Sequence, residues 1–455
     1  MELGAFIAPS SGFIDTYSEA NFNSYNIVWM QSNFVDDAAV EATKNNLNYA
    51  MSECEKYGIG AQIQLHHDLL SYKYNIFTTF LSDIDFKDYP AFQGFYMCDE
   101  PTWGNIETLD KYYVDWFNEN YGGEHSQYEF YINMLGGYSS AIGAIKDADG
   151  NYVLVNGQKI YDGTAEQKRI CYDYYVEQFL NMFARVKSSK KFFTIDAYPL
   201  MDNQVGLLTL PEDAKNGNFP EGYVRYIPDT WLATNYKAAL NAKNNSYAFG
   251  AFVQTCDEGG ATSSRKFRLP TTVEEIKWQA YINIAFGAKK LAYYGYDNRA
   301  GGTYMTLNGE PLDLYYFVQE TNAEIDKFDN VIMAFSEWVG VKTFLGSSSQ
   351  SNTAFDNIAS VELSSLTGVK NVSCSRDLIV GEMIDKNGNH GYMMVGYDDP
   401  YNKNTTEVSL NFEGAEGLII YRNGERELSN TLTDGNFSIT LNAGEGVFVI
   451  PVYAE

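Results

Sequence analysis

The chain has 455 residues, of which 45% are hydrophobic and 15% aromatic, and its formal net charge is −27 at pH 7. This length allows a barrel of roughly 250 residues together with a smaller unit. The negative charge argues against nucleic acid and anionic membrane surfaces as partners, and no apolar run of the sequence is long enough to span a membrane.

Eight short apolar, β-branched or aromatic runs recur along the chain, separated by segments with helical spacing. The predicted strands are 4–9, 25–32, 58–67, 94–101, 128–135, 191–199, 247–255 and 290–297. The predicted helices include 35–58, 166–189 and 271–289. Strands that alternate with helices favour the α/β class and a closed parallel (β/α)8 TIM barrel. A doubly wound sheet is the rival, but no glycine-rich phosphate loop follows either of the first two strands.

Two connections between strands are long, and a different pattern follows the last predicted helix at 311–338. Residues 136–165 predict a β-hairpin insert, and 200–246 contains a long loop of the kind that usually builds the active-site face of a barrel. Beyond about residue 355, short alternating runs punctuated by turn residues predict an antiparallel β-sandwich. We assign 1–345 to the barrel and 346–455 to a C-terminal accessory sandwich.

The five cysteines are scattered without metal or redox spacing, so we expect buried free thiols. No cofactor is expected, and the pattern does not indicate an oligomeric state. No signal peptide is visible in the sequence, and we expect a secreted or cell-surface protein whose leader has been removed. A cytoplasmic location is the alternative.

The catalytic groups of such a barrel lie at the carboxyl ends of its strands. The fourth strand ends in the adjacent carboxylates Asp99 and Glu100, within GFYMCDEPTWG at 94–104. The other candidates are carboxylates, amides, histidines and aromatics that end or closely follow strands: Trp29, His66, His67, Trp103, Asn133, Asp196, Tyr198, Gln254, Asp257, Glu258, Tyr294 and Tyr296. Such groups match the needs of a sugar, because amides and carboxylates bind hydroxyls, aromatic faces cover ring C–H groups, and a carboxyl pair supplies acid and base.

Two other interpretations of these residues compete with a carboxylate-based site. Asp99 and Glu100 could simply cap the helix that follows them. Alternatively, His66, His67 and Asp68 could join the pair around a divalent metal ion. The metal hypothesis is weakened because adjacent strand residues point to opposite faces, so the two histidines would not both face the barrel mouth.

Several local motifs carry a family resemblance over nearly the whole chain. GFYMCDEP on the fourth strand, FFTIDAYP on the sixth, and FVQTCDEGGATSSRKFRLPTTVEEIKWQAYINIAFGAKKLAYYGYD through the seventh and eighth resemble bacterial (β/α)8 glycoside hydrolases with a C-terminal β-sandwich. The resemblance does not single out one family. It implies a hydrolase that cleaves a glycosidic bond in an oligosaccharide or glycan, with Glu100 as general acid and base.

The resemblance leaves two mechanisms open. In the large retaining group, the acid is usually preceded by Asn and a glutamate on strand seven is the nucleophile. Here Asp99 replaces the Asn and strand seven ends at Gln254, which leaves Glu258, Asp257 or Asp196 as the second carboxylate.

In substrate-assisted N-acetylhexosaminidases, an adjacent Asp-Glu pair ends strand four. That likeness implies Glu100 as acid and base, Asp99 as the partner of the 2-acetamido group, and Tyr198, Tyr294 or Tyr296 as a supporting phenol. A cell-surface barrel that binds carbohydrate without turnover is a third hypothesis.

Overall fold

The first part of the chain folds into a closed barrel of eight parallel strands. The computed structural model describes residues 1–72, 80, 83–136, 154–155, 158–159, 165–203, 221–255, 257, 267–297, 305–429 and 432–454. The barrel strands are β1 (Glu2–Ile7), β2 (Ser24–Trp29), β3 (Gly60–Leu65), β4 (Phe92–Asp99), β5 (Glu129–Met134), β6 (Phe192–Ile195), β7 (Ala248–Val253) and β8 (Ala288–Gly295). They are hydrogen-bonded in chain order, and β8 closes against β1. The eight predicted strands and the barrel are therefore confirmed.

Helices alternate with these strands. They are α1 (Ile14–Glu19), α2 (Asp37–Tyr57), α3 (His67–Tyr72), α4 (Trp103–Thr108), α5 (Val114–Asn120), α6 (Ala165–Arg185), α7 (Asp229–Asn244), α8 (Val273–Ala285), α9 (Asp313–Asp326) and α10 (Asp329–Ala334). The α2 helix begins where the Asp36 side chain accepts a hydrogen bond from the Ala39 N–H, and it ends at Gly58, whose φ is 68°. The last helix predicted for the barrel is thus two helices, α9 and α10.

The two long connections contain short hairpins. In the first, Leu154–Val155 pairs antiparallel with Gln158–Lys159, as the predicted hairpin insert requires. In the second, Met201–Asp202 pairs with Arg225–Tyr226, and the helix α7 follows. This second hairpin comes directly after the end of β6, so it stands beside the mouth of the barrel.

Aromatic side chains fill the barrel interior in two small clusters. One cluster contains Tyr96, Tyr131 and Phe192, and the other contains Tyr198, Phe252 and Ala292. Phe6 on β1 packs against both clusters. The interior is therefore a packed plug, as is usual for this fold, and any ligand must bind above it.

Buried charges form a layer at the opposite, amino-terminal end of the strands. Lys290 and Lys190 each form ion pairs with both Glu2 and Glu129, and the Gln62 amide also donates to Glu129. Burial alone would raise the pKa of Glu2, but the two lysines outweigh it and hold that pKa well below its ordinary value. Burial and the charge of Glu2 raise the pKa of Glu129 to about 7.

The C-terminal part forms two antiparallel sheets, as predicted. Its strands are β9 (Glu337–Phe344), β10 (Val369–Cys374), β11 (Leu378–Ile384), β12 (His390–Gly396), β13 (Thr406–Phe412), β14 (Ala415–Arg422), β15 (Glu425–Ser429), β16 (Asn436–Leu441) and β17 (Gly446–Tyr453). One sheet has the order β9-β11-β12-β17-β14-β15, and the other has the order β10-β13-β16. Because β9 belongs to the larger sheet, the second unit starts near residue 337, before the boundary drawn from the sequence.

The sandwich packs closely against helix α8 of the barrel. The Trp338 indole N–H donates to the Ala285 carbonyl oxygen at 2.9 Å, at the end of that helix. Elsewhere, Arg225 pairs with Asp399 and its guanidinium lies 3.7 Å from the centre of the Tyr401 ring. The second contact ties the hairpin beside the barrel mouth to a sandwich loop.

Two further properties concern the described residues as a whole. Four of the cysteines fall among them, and all four are buried free thiols. None of the helices in the described ranges combines the length and apolarity needed to cross a bilayer.

The contact between α8 and the larger sheet makes a testable prediction at Gly381. A Cβ atom at this position would lie 2.0 Å from the Ala285 carbonyl oxygen, so Gly381→Ala should separate the two units and lower the free energy of unfolding by about 2–3 kcal/mol. Gly104→Ala is the matched control, because a Cβ there meets nothing within 4 Å. Urea unfolding of both variants checks this, and equal midpoints would show that the strand moves away without cost.

Candidate active site

A bulge in β4 decides which carboxylate faces the barrel interior. Tyr96 pairs with Tyr131 of β5, but the next pairs are Cys98 with Ile132 and Asp99 with Asn133, so β4 contains one extra residue. Tyr96 and Asp99 consequently lie on the same face, although simple alternation would separate them. That face is the interior one, because Tyr96 and Tyr131 belong to the aromatic plug.

The Asp99 carboxylate is held in place by two donors. The Tyr96 hydroxyl donates to Asp99 Oδ1 at 2.7 Å, and the Asn133 side-chain amide donates to the same oxygen at 3.0 Å. Burial raises the pKa of Tyr96 well above its ordinary value, and the nearby charge of Asp99 raises it further. Tyr96 therefore remains a protonated donor throughout the physiological pH range, and it fixes the orientation of Asp99.

Glu100 follows in a backbone conformation that is rare for a residue with a side chain. Its φ is 44°, in the left-handed region, and its N–H donates to the Asn133 carbonyl oxygen at 2.9 Å. The side chain is half-buried, and no donor among the described residues binds its carboxylate. Such strain is typical of functional sites.

The helix-cap interpretation of this pair is wrong. Helix α4 begins at Trp103, and its N-cap is Thr102, whose hydroxyl accepts a hydrogen bond from the Asn105 N–H. Asp99 and Glu100 thus precede the helix without capping it.

A carboxylate and two aromatic rings from β6 and β8 stand on the other side of the mouth. Asp196 follows β6 and is only 7% exposed, and its charge contributes to the raised pKa of Tyr96. The rings of Tyr198 and Tyr294 meet edge to face with their centres 5.5 Å apart. Tyr294 also packs 5.9 Å from Phe6, which places it over the aromatic plug. Asp99, Asn133, Asp196, Tyr198 and Tyr294 therefore share one end of the barrel.

Three of the predicted aromatics lie away from the mouth. Trp29 packs against Phe80 and Phe86 outside the barrel, with ring centres 5.3 and 5.9 Å apart. Tyr296 lies edge to face with Tyr17 at 5.1 Å, in the layer between strands and helices.

The third is Trp103, which is buried in the main core, and its indole N–H donates to Glu107 on its own helix. None of these three rings is placed to stack on a ligand at the mouth.

Gln254 directly follows β7, and its side chain binds the backbone of neighbouring segments of the same chain. Its carboxamide oxygen accepts from the Leu200 N–H at 2.8 Å, and its nitrogen donates to the carbonyl oxygens of Leu200 and Arg268 at 3.0 and 2.7 Å. The residue is fully buried. These bonds position the segment that carries Asp196 and Tyr198.

The remaining candidates are the two histidines after β3 and the two carboxylates after β7. His66 follows β3 and is half-buried, with its Nδ1 atom 3.1 Å from Asp68 Oδ1. His67 opens helix α3, and its side chain lies outside the described set. Asp257 is buried, whereas Glu258 lies outside the described residues. Within the described ranges, no group of three His, Cys, Asp or Glu residues could hold a metal ion.

The structure adds two residues, Tyr96 and Gln64, to the site residues at this end of the barrel. Plain alternation would not bring Tyr96 to the same face as Asp99, and only the bulge does so. Gln64 on β3 pairs with Tyr96 in register and faces the same interior. In the sequence, Gln64 is one of the polar residues at the end of the third predicted strand.

The chain thus presents an acidic site at the mouth of a (β/α)8 barrel. In this site, a carboxylate is held by a tyrosine and an asparagine. No protein-family model matches the chain, and no curated protein matches it in sequence.

Solved structures that resemble it in fold include glycoside hydrolases. A suggested alpha-galactosidase from Bacteroides fragilis is 8% identical, with 100% of this chain and 79% of that chain covered and a TM-score of 0.48. A family 39 glycoside hydrolase from Bacteroides cellulosilyticus is 8% identical, with coverages of 99% and 80% and a TM-score of 0.46. A protein of glycoside hydrolase family 5, subfamily 18, from Bifidobacterium longum is 10% identical, with coverages of 72% and 79% and a TM-score of 0.41. At such identities the similarity concerns the fold.

Proposed function

We propose that the chain hydrolyses glycosidic bonds, with Glu100 as the general acid and base. The observation that carries the proposal is the Asp99–Glu100 pair at the carboxyl end of β4, in which Asp99 is fixed by Tyr96 and Asn133. Glu100 stands next to this fixed carboxylate in a strained backbone conformation, where it is partly open to solvent. Cleavage of a glycosidic bond needs a proton donor at the leaving oxygen and a second group that stabilises the anomeric carbon.

The fixed orientation of Asp99 favours substrate assistance. In that mechanism, the substrate's own 2-acetamido oxygen attacks the anomeric carbon, while a carboxylate orients the acetamido N–H. A carboxylate that performs this task must not rotate, and two donors on Asp99 Oδ1 restrain it. Tyr198 and Tyr294 provide rings and hydroxyls across the mouth that can cover the sugar.

Asp196 supports a second mechanism with two enzymic carboxylates. It is buried on the same end of the barrel, and its charge is felt at Tyr96 beside Asp99. In this case Glu100 would donate the proton, and Asp196 would act as the nucleophile or as the base for a water molecule.

A matched panel of aryl glycosides tests the proposal and separates the two mechanisms. We expect release of 4-nitrophenol from glycosides that carry a 2-acetamido group and none from the corresponding plain hexosides. Equal release from both sets would favour the mechanism in which Asp196 is the second carboxylate. Binding of methyl glycosides without cleavage of any aryl or natural glycan would instead identify a carbohydrate-binding protein and contradict the proposal.

The hydrogen bond from Tyr96 to Asp99 gives a more local prediction. Tyr96→Phe should lower kcat/KM by about 10- to 100-fold, because a bond to a charged group is lost and Asp99 can rotate. The measurement is kcat/KM on the glycoside panel, compared with that of the wild type.

Tyr131→Phe is the control for that variant. Tyr131 lies in the same cluster, with its ring 4.4 Å from that of Tyr96, but its hydroxyl bonds Thr194 instead of a carboxylate. If both variants lose the same activity, the effect is one of packing alone.

A further inference from the structure

The hairpin formed by Met201–Asp202 and Arg225–Tyr226 presents its two faces to different surroundings. In the segment that enters it, Met201 is half-buried, whereas Leu200 and Asp202 on either side are fully buried. In the segment that leaves it, Tyr226 is 41% exposed, whereas the side chain of Arg225 is only 8% exposed. Successive residues of a strand point to opposite faces, and paired residues of neighbouring strands share a face. Met201 and Tyr226, which are paired, therefore lie together on the open face.

The buried face fixes the hairpin in place. Arg225 pairs with Asp399 of the sandwich, and its guanidinium lies 3.7 Å from the centre of the Tyr401 ring. On the same face, the Tyr223 hydroxyl donates to Asp202 Oδ2 at 2.9 Å. The open face is thus held in position by contacts made on the opposite side of the hairpin. A surface that is ordered in advance in this way loses little conformational entropy when a ligand binds.

The open face continues into the barrel mouth. Met201 also forms an antiparallel bridge with Phe267, which puts the Phe267 side chain on the same face. The half-buried ring of Phe267 meets the ring of Tyr198 edge to face, with their centres 5.5 Å apart, and Tyr198 meets Tyr294 in the same way. One apolar row thus runs from the aromatic plug to the exposed end of the hairpin, and it consists of Tyr294, Tyr198, Phe267, Met201 and Tyr226.

The length of the apolar row and the charges near it restrict what it can bind. Neighbouring strands lie about 4.8 Å apart, so Tyr226 lies two strand spacings, about 10 Å, from Phe267. A single sugar ring beside Asp99 and Glu100 does not cover that distance, whereas a chain of several rings does. The carboxylates of Asp99 and Asp196 and the formal net charge of −27 disfavour an anionic ligand. The C–H faces of neutral sugar rings are suited to aromatic and thioether side chains.

We infer that the apolar row is an extended subsite for a neutral oligosaccharide, and that Tyr226 contacts a ring of that chain remote from the bond that is cleaved. This inference rests on the proposed function, since the row begins at the same mouth. It adds the class of substrate, which is a chain of several neutral sugars rather than a simple glycoside.

Binding to a glycan array tests this subsite without depending on turnover or on one linkage. The probes are neutral and anionic glycans from mono- to hexasaccharides. The protein is the full chain carrying Glu100→Gln, so that bound glycans stay intact. We expect the best neutral oligosaccharide to bind about 10-fold or more tightly than its constituent monosaccharide, because additional rings are buried on the row. Calorimetry with that glycan and its shorter fragments measures this ratio of affinities.

Substitutions added to Glu100→Gln assign the ratio to the row. Tyr226→Ala should reduce it to about 2-fold or less, because the contact with the remote ring is lost. Tyr226→Phe should keep it, since the aromatic ring rather than the hydroxyl makes the contact. Tyr174→Ala is the matched control, because Tyr174 is 40% exposed on helix α6 and is not part of the row. That variant should also keep the ratio.

The outcomes separate the inference from the proposed function. If Tyr226→Ala keeps the ratio, or if oligosaccharides bind no better than monosaccharides, the subsite is overturned whatever the aryl glycosides show. Equally tight binding of anionic glycans of the same length overturns the assignment to neutral chains. Binding that depends on Tyr226, with no cleavage of the bound glycan or of any aryl glycoside by the wild type, supports the subsite and contradicts the proposed function. Absence of binding to every glycan overturns the subsite, and cleavage of the aryl glycosides then decides the proposed function alone.

Discussion

Replacing Glu100 by Gln is expected to lower kcat/KM for glycosides with poor leaving groups by about 10³-fold, the usual contribution of a general acid. The loss should depend on the leaving group, because a good one departs without a proton. We therefore expect a much smaller loss with a 2,4-dinitrophenyl glycoside than with a methyl glycoside or a natural glycan. The measurement is the ratio of these losses, which does not depend on the amount of folded protein.

Glu107→Gln is the control for this substitution. Glu107→Gln makes the same change of charge on the following helix α4, where the Glu107 carboxylate accepts only the Trp103 indole N–H among the bonds described. That variant should keep its activity. If Glu100→Gln loses the same factor on every leaving group while its unfolding curve is unchanged, Glu100 is not the acid, and Asp196 becomes the next residue to replace.

The barrel and the Asp99–Glu100 pair could be predicted from the sequence because they depend on local patterns. Eight apolar runs alternate with helical segments, and only a parallel barrel or a doubly wound sheet accommodates that order. Carboxylates directly after a buried strand then fall at the carboxyl end, whatever the details of packing.

The direction of individual side chains could not be predicted in the same way. Trp29 and Tyr296 both lie near strand ends, yet their large apolar surfaces are buried against Phe86 and Tyr17 in the layer beneath the helices. The β4 bulge reverses alternation between Tyr96 and Asp99, and no residue in that stretch signals it, since neither glycine nor proline marks the extra position.

Contacts between residues that are far apart in the sequence could not be predicted either. Gln254 carries an amide of the kind that can bind a sugar. Its side chain is instead hydrogen-bonded to the backbone N–H and carbonyl groups of Leu200, which lies far from it in the sequence. Similarly, Glu337–Phe344 pairs with β11, which lies beyond a helix and another strand, so the sequence did not reveal that the sandwich begins there. Both contacts are set by tertiary packing rather than by local pattern.

The buried charge layer beneath the plug is expected to dominate the stability of the barrel. Lys290→Met should lower the free energy of unfolding by about 3–5 kcal/mol at about pH 8, because it leaves the carboxylates of Glu2 and Glu129 with a single cation in a buried site. Lys190→Met removes the same charge from the same two carboxylates, but the Lys190 side chain is 29% exposed, compared with 5% for Lys290. Its cost should be about 1 kcal/mol.

The pH dependence of these variants distinguishes lost charge pairing from lost packing. In the wild type, the pKa of Glu129 is raised from 4.5 to about 7, so the folded state binds more protons than the unfolded chain between these values. The free energy of unfolding contributed by Glu129 therefore falls as pH rises through this range, whereas Glu2, whose pKa is lowered, loses its contribution only in acid. Without Lys290, the lowered pKa of Glu2 and the raised pKa of Glu129 should both move upward, and protonation then relieves the unpaired charge. The deficit of Lys290→Met should thus be largest near about pH 8 and shrink toward about pH 5. A deficit that is constant across this range would mean that Lys290 stabilises the barrel through its packing over Tyr131 rather than through its charge.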